Sequence, residues 1–279
     1  MRLANLEGRA VIVTGEGGID VAKASDGRFG PDPAGIYDEW AEFRRVAADL
    51  RGQPVPVEEA RLGPPSPRPT QVFGIGLNYR AHAEESGRPL PARPATFTKF
   101  PTCLTGPFAA VELPPGTVDW EVELVVVIGL RAHRVEEAAA WGHVAGLTIG
   151  QDLSERRLQY EAGAQFSLGK SFPGFGPTGP WLVTPDELPD PDDLALGCSV
   201  DGETVQSSRT SDLIFSVPRL VAELSGVLPL LPGDLIFTGT PAGVGVARTP
   251  PRFLQPGSRL DTWIEGIGRM SHTFVASAG

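Results

Sequence analysis

The chain has 279 residues, of which 34 are glycine, 28 are proline and two are cysteine, and its formal net charge is -10. That length suits one large domain, alone or with a small companion, and the glycine and proline content favours strands and turns over a helical bundle. The acidic balance without a Lys/Arg run argues against nucleic acid or an anionic membrane as partner, and no apolar run is long enough to span a bilayer. Cys103 and Cys198 lack a metal-type spacing and read as reduced thiols. The start, MRLANLEGRAVIV, has no basic segment followed by a long apolar one, so no signal peptide is expected and the expected location is the cytoplasm.

In chain order, Arg9–Thr14 reads as a short apolar strand that ends in the turn residues GEGG. An amphipathic helix follows. Asp32 is placed to cap it and Pro33 suits its first turn. Ile36, Trp40, Phe43 and Val46 recur at helical spacing, and Gly52 is placed to stop it. The stretch PVPVEEARLGPPSPRP is too rich in proline for a helix and reads as a linker. It separates a small N-terminal domain, 1–67, from a larger one, 68–279. From Gln71 onward short apolar strands alternate with Gly/Pro punctuation, among them VFGIGLNY, VELVVVIG, HVAGLTIG, GPWLVT, LALGCSV and GDLIFTGT. Two helices are expected between them. One spans about Ser154–Tyr160, and the other follows Thr210 and carries Leu213, Val217, Leu220 and Leu224. The expected fold class is α+β, mostly β, with a rolled or barrel-like mixed sheet.

The segment DWEVELVVVIG carries the first chemical signal. Alternate residues of a strand share a face, so Asp119, Glu121 and Glu123 point the same way, ahead of Val125 and Val127. Such an acidic face is either a solvated strand end or a set of oxygen ligands for a hard divalent cation. Asp152 follows LTIGQ, where a strand gives way to a helix. It is either an N-cap or, with Arg156 and Gln159 on the same helical face, part of a site for a metal and an anionic ligand. In GIGLNYRAHAEESG, His82 and Glu85 are three residues apart, so one helical turn brings a carboxylate to an imidazole and favours a basic role for it. FTGTPAGVG places glycines at 239, 243 and 245, whose exposed amides suit a carboxylate or form an ordinary turn. GAQFSLGKS fails the P-loop spacing, GIGLNY lacks a dinucleotide fingerprint, and no G-x-S-x-G elbow is present.

Taken in series, GIGLNYRAHAEE, FTKFPTCLTGP, VDWEVELVVVIG, AGLTIGQDLSERRLQ, GKSFPGFGPTGPWLVTPDEL, VDGETVQSSRTSDLIF and PGDLIFTGTPAGVG resemble the catalytic domain of the fumarylacetoacetate hydrolase family, from about Phe73 to Met270. The resemblance implies that Glu121, Glu123 and Asp152 hold a divalent metal, Mg²⁺ in the first instance with Mn²⁺ or Ca²⁺ as alternatives. It implies that His82 and Glu85 activate water on a segment that closes over substrate, and that Lys170 is the active-site lysine. Lys99, Arg156, Gln159 and Thr240 are implied to contact substrate oxygens, and the chain to pair as a homodimer. Gln151, Arg157 and Pro173 depart from the residues many members carry, and an added cation at Arg157 would favour a more anionic substrate. The implied activity is hydrolysis of a carbon–carbon bond in a 2,4-diketo acid such as an acylpyruvate, through a pyruvate enolate. Decarboxylation or isomerisation of an unsaturated 2-oxo diacid is the alternative within the family. A non-catalytic metal-binding protein is the alternative outside enzymes.

Overall fold

Short apolar runs cut by glycine and proline pair into two large sheets in the computed structural model, which describes residues 1–277 except 88, 162 and 164. The larger sheet has eleven strands. Its centre runs Gly176–Val183, Val144–Gln151, Val122–Ile128, Leu235–Phe237 and Val72–Gly76, with antiparallel pairing except between the last two. The second sheet has five strands, in the order Glu203–Arg209, Ala195–Val200, Arg259–Ile264, Gly268–Ala276 and Ala110–Leu113. Its last pair is parallel. The larger sheet's main path begins at Gly17–Asp20 and ends at Ala95–Thr98, so no closed barrel forms among the described strands. The architecture is mostly β and mixed, with few helices, and no helix among the described residues is long and apolar enough to cross a membrane.

Strand Val122–Ile128 is buried on both faces, which is why it reads as a near-continuous apolar run. Leu124, Val126 and Ile128 belong to the core that also contains Leu196, Leu260, Met270 and Phe274 of the second sheet. Val125 and Val127 belong to the core formed with Leu3, Ile36, Trp40, Phe43 and Phe237. A fully buried Val or Leu contributes about 1.5–3 kcal/mol. The five apolar residues from Leu124 to Ile128, all at 0% exposure, therefore offset the cost of burying the acids that precede them.

Residues before Pro67 share this framework. Strand Arg2–Leu6 joins the larger sheet beside Gly176–Val183, with Arg2 opposite Val183. The proline-rich stretch is tied down at three points. Val55 bridges to Gly18, Leu62 pairs with Leu6, and the Ser66 hydroxyl donates to the Gly233 carbonyl at 2.7 Å.

The first helical pattern is realised as two helices, Pro33–Asp38 and Trp40–Val46. Asp32 caps the first through the Ala34 amide, as its side-chain chemistry predicts. At Glu39 the backbone leaves helical geometry, with φ -113° and ψ 23°. Beyond the break Trp40 stacks on Tyr37 at 5.7 Å and packs onto Gly129, where a Cβ would lie 2.5 Å from the indole. The chain stops through a 3₁₀ turn, Ala47–Asp49, before Gly52 is reached. The expected helix from Ser154 begins later, at Arg156, because Ser154–Glu155 pairs as a strand with Val118–Asp119. The helix after Thr210 is Val217–Val227, capped by Ser216, and leaves Leu213 outside.

His272, on the second sheet, is fully buried, with Nε2 against the Gly106 carbonyl at 3.1 Å and Nδ1 unpartnered. Burial pulls its pKa from 6.5 down to about 4. The neutral ring is therefore favoured in the fold, while the unfolded chain takes up a proton below pH 6.5. This contribution is fully present above pH 6.5 and is lost as pH falls towards 4, roughly 3 kcal/mol in all. Urea unfolding across that range should show wild type losing about that much more stability than His272→Gln. Parallel pH curves would contradict this origin.

Candidate active site

Two strand ends meet at one end of the larger sheet. Glu121 and Glu123 precede the apolar half of Val122–Ile128. Its antiparallel neighbour ends at Gln151, opposite Val122, so Asp152 emerges beside them. The Asp152 amide donates to the Glu121 carbonyl at 2.9 Å, and Gln151 Oε1 accepts the Glu121 amide at 2.9 Å. Gln151 Nε2 reaches Thr262 of the second sheet at 2.9 Å, so this long amide anchors the acid cluster to both sheets. Glu121, Glu123 and Asp152 each offer a carboxylate oxygen, all within 4.8 Å of one another and all buried.

Three cations answer these acids. Lys170 Nζ bridges Glu121 Oε2 at 2.7 Å and Asp152 Oδ2 at 2.5 Å. Arg156 Nη2 lies 2.7 Å from both Glu121 Oε1 and Asp119 Oδ2. Lys99 Nζ holds Asp152 Oδ1 at 2.6 Å and donates to the carbonyls of Lys170 and Phe175. Burial opposes ionisation of Glu121, but Lys170 and Arg156 outweigh it and hold its carboxyl at about 2. Glu123 is different. Among the described residues it has no ion-pair partner and receives only the Gly239 amide, at 2.8 Å. Burial and then the charges of Asp152 and Glu121 push its carboxyl well above the usual range. An oxygen-rich cluster with one buried carboxylate lacking a counter-charge fits a hard divalent cation.

His82 lies on the short helix Arg80–Glu85, with Nδ1 3.2 Å from Glu85 Oε2. Leu77, at φ 54°, turns the chain out of strand Val72–Gly76 towards this helix. Asn78 pins that turn by donating to the carbonyls of Phe215 and Thr238 and accepting the Phe215 amide. His82, Glu85, Glu121, Glu123, Lys170 and Arg156 line one cavity of about 270 Å³.

The glycine loop after Leu235–Phe237 does hold carboxylates, and they are the protein's own. The Gly239 amide binds Glu123, the Gly243 amide binds Glu85, and the Gly245 and Val246 amides bind Asp119. Gly239 adopts φ +104°, and a Cβ at Gly245 would lie 2.7 Å from Asp119 Oδ1, so both positions need glycine.

Not every expected residue stands where the sequence placed it. Lys99 does not line the cavity. It is fully buried behind Asp152, and its three donors are all used on protein oxygens. Asp152 starts no helix and caps none, since Ser154–Glu155 intervenes, whereas Arg156 and Gln159 do share a helical face and hydrogen-bond at 3.0 Å. Asp119 is separated from the triad and serves Arg156 and the glycine loop instead. Thr240 borders the cavity, but its hydroxyl donates to the Val122 carbonyl and accepts from Gln206. Arg157 and Pro173 are exposed and outside the cavity lining, so neither changes its charge. Gln206 and Asn78 were not singled out in the sequence, because each acts only through partners distant in the chain.

Removing the cation of a buried pair leaves an uncompensated charge, at a cost of about 3–5 kcal/mol. Lys99→Met should therefore lower the unfolding free energy by that amount in urea melts. A loss below about 1 kcal/mol would show that Lys99 does not support Asp152.

Residues 71–275 match the family described as fumarylacetoacetate (FAA) hydrolase, C-terminal. A solved structure from Mycobacterium smegmatis titled "putative HpcE protein" is 55% identical, covers 99% of this chain and 100% of its own, and superposes with a TM-score of 0.96. Maleylpyruvate hydrolase from Sphingobium sp. SYK-6, solved with manganese(II) and pyruvate, is 28% identical over 99% of this chain and 100% of its own, with a TM-score of 0.80. The 2-hydroxyhepta-2,4-diene-1,7-dioate isomerase of Mycobacterium marinum is 32% identical over the full length of both chains, with a TM-score of 0.77. The chain belongs to the fumarylacetoacetate hydrolase family.

Proposed function

We propose that this chain is a metal-dependent hydrolase that cleaves a carbon–carbon bond in a 2,4-diketo acid of the acylpyruvate type. The observation that carries this reading is a hydrogen-bonded His–Glu pair facing the same cavity as Glu121 and Glu123 of a buried carboxylate cluster. Glu121, Glu123 and Asp152 would hold the cation, with Mg²⁺ the first candidate and Mn²⁺ or Ca²⁺ compatible with the same oxygen donors. Bound there, a divalent cation supplies Lewis-acid polarisation of substrate oxygens. The maleylpyruvate hydrolase solved with manganese(II) and pyruvate supports the same pairing of ion and product.

The chain's own residues supply the rest. The contact from His82 Nδ1 to the Glu85 carboxylate sets the tautomer with its proton on Nδ1 and leaves Nε2 free to accept one. Glu85 is fixed in turn by the Gly243 amide at 3.0 Å. His82 takes a proton from water as the water oxygen bonds to C4 of the substrate. The C3–C4 bond then breaks, and its electron pair passes into the 2-oxo acid fragment as an enolate. Return of the proton from His82 to C3 gives pyruvate, and C4 leaves as a carboxylic acid. Lys170 and Arg156 line the cavity and provide positive charge beside the developing enolate.

The relative named as an isomerase supports a second reading, in which the same enolate arises without attack by water. The two differ in their need for His82. General-base assistance is worth about 10²–10⁴-fold. His82→Ala should lower kcat for acylpyruvate hydrolysis by that factor while leaving oxaloacetate decarboxylation largely intact. Unchanged hydrolysis in the variant would remove His82 from the mechanism.

A further inference from the structure

The lining of the cavity divides by chemistry. Its two cations stand at the acid cluster, where the reading above places the 2-oxo acid head: Arg156 is held by Asp119, Glu121 and Gln159, and Lys170 bridges Glu121 and Asp152. Among the described residues no other Lys or Arg lines it. The remaining wall carries the polar side chains of Ser86, Gln159 and Tyr160 and a separate apolar part. Phe97 and Phe166 contribute rings that meet edge to face at 5.9 Å, and Val244, Val246 and Ala247 come from the glycine loop. At about 270 Å³ the cavity is small. Ligand pockets commonly span ~300–1,000 Å³.

We infer that the part of the substrate beyond its 2-oxo acid head is short, uncharged and apolar, seated against Phe166, Val244 and Val246. The chain thus takes monocarboxylic in preference to dicarboxylic 2-oxo acids. This rests on the reading of the site given above and adds the substrate class to it. A second carboxylate against these walls would lose its hydration and meet no further cation among the described residues. A methyl or methylene end gains from the same burial.

Calorimetric titration of the full chain in the presence of Mg²⁺ separates the cases, with 2-oxohexanoate and 2-oxohexanedioate as probes. The two acids match in length, differ only at the far end, and lack the 4-oxo group needed for cleavage. The monoacid should bind about tenfold tighter or more, as expected where a site leaves a polar group unpaired. Val246→Lys should narrow or reverse that order. Equal affinities, or tighter binding of the diacid, in wild type would overturn the inference. An unchanged ratio in Val246→Lys would overturn the seat assigned to Val246. Binding of neither acid would overturn the inference together with the 2-oxo acid reading. Binding of the monoacid without hydrolysis of any acylpyruvate would overturn only the proposed reaction.

Discussion

Four carboxylates and three cations share an interior that water barely reaches. Asp119 and Asp152 are fully buried, Glu121 and Glu123 nearly so, and Lys99, Lys170 and Arg156 are each at most 5% exposed. Charges in such a place are tolerated only in near-complete mutual compensation. Each cation accordingly contacts at least one acid, and Lys170 and Arg156 contact two. The compensation stops one charge short, at Glu123, and a divalent cation would supply what is missing. The apolar stretch behind it, packed on both faces, stabilises the platform on which the acids sit.

The glycine loop transmits this arrangement to the rest of the cavity. Its successive amides bind Glu123, Glu85 and Asp119. The metal-ligand candidate, the acid behind His82 and the acid behind Arg156 are thereby referenced to one backbone segment. Trp120 holds the same loop from the far side, donating from Nε1 to the Gly243 carbonyl at 3.1 Å, while Arg248 and Arg252 lie over its ring. A shift of this loop would move the His82–Glu85 pair relative to the carboxylates. Positional errors of this kind are costly when water and substrate must meet in one orientation. Fixing three functional groups to one loop is how the fold answers that demand.

The parts legible in the sequence are those governed by local rules. Period-two alternation places Glu123, Val125 and Val127 on one phase of strand Val122–Ile128, with Glu121 just ahead of it. Helical spacing joins His82 to Glu85 and Arg156 to Gln159. What escaped local rules depends on partners far along the chain. The family resemblance implied that Lys99 meets substrate, whereas Asp152, 53 residues on, takes its charge. Asp119 reads as a third member of an acidic face until the amides of Gly245 and Val246, 126 and 127 residues away, are seen to occupy it. The first helix reads as continuous because its apolar spacing is unbroken, yet packing of Trp40 on Tyr37 and Gly129 accompanies a break at Glu39. Pairing of Ser154–Glu155 with Val118–Asp119 likewise displaces the helix start that Asp152 suggested.

The central claim is that these buried acids serve metal-dependent cleavage of an acylpyruvate. Its most direct test follows the ultraviolet absorbance of a small acylpyruvate with Mg²⁺ or with a chelator, for wild type and Glu121→Ala. The account predicts loss of absorbance only for wild type with Mg²⁺, with pyruvate and a free carboxylic acid as products. Equal loss with chelator present, or full activity in Glu121→Ala, would contradict it.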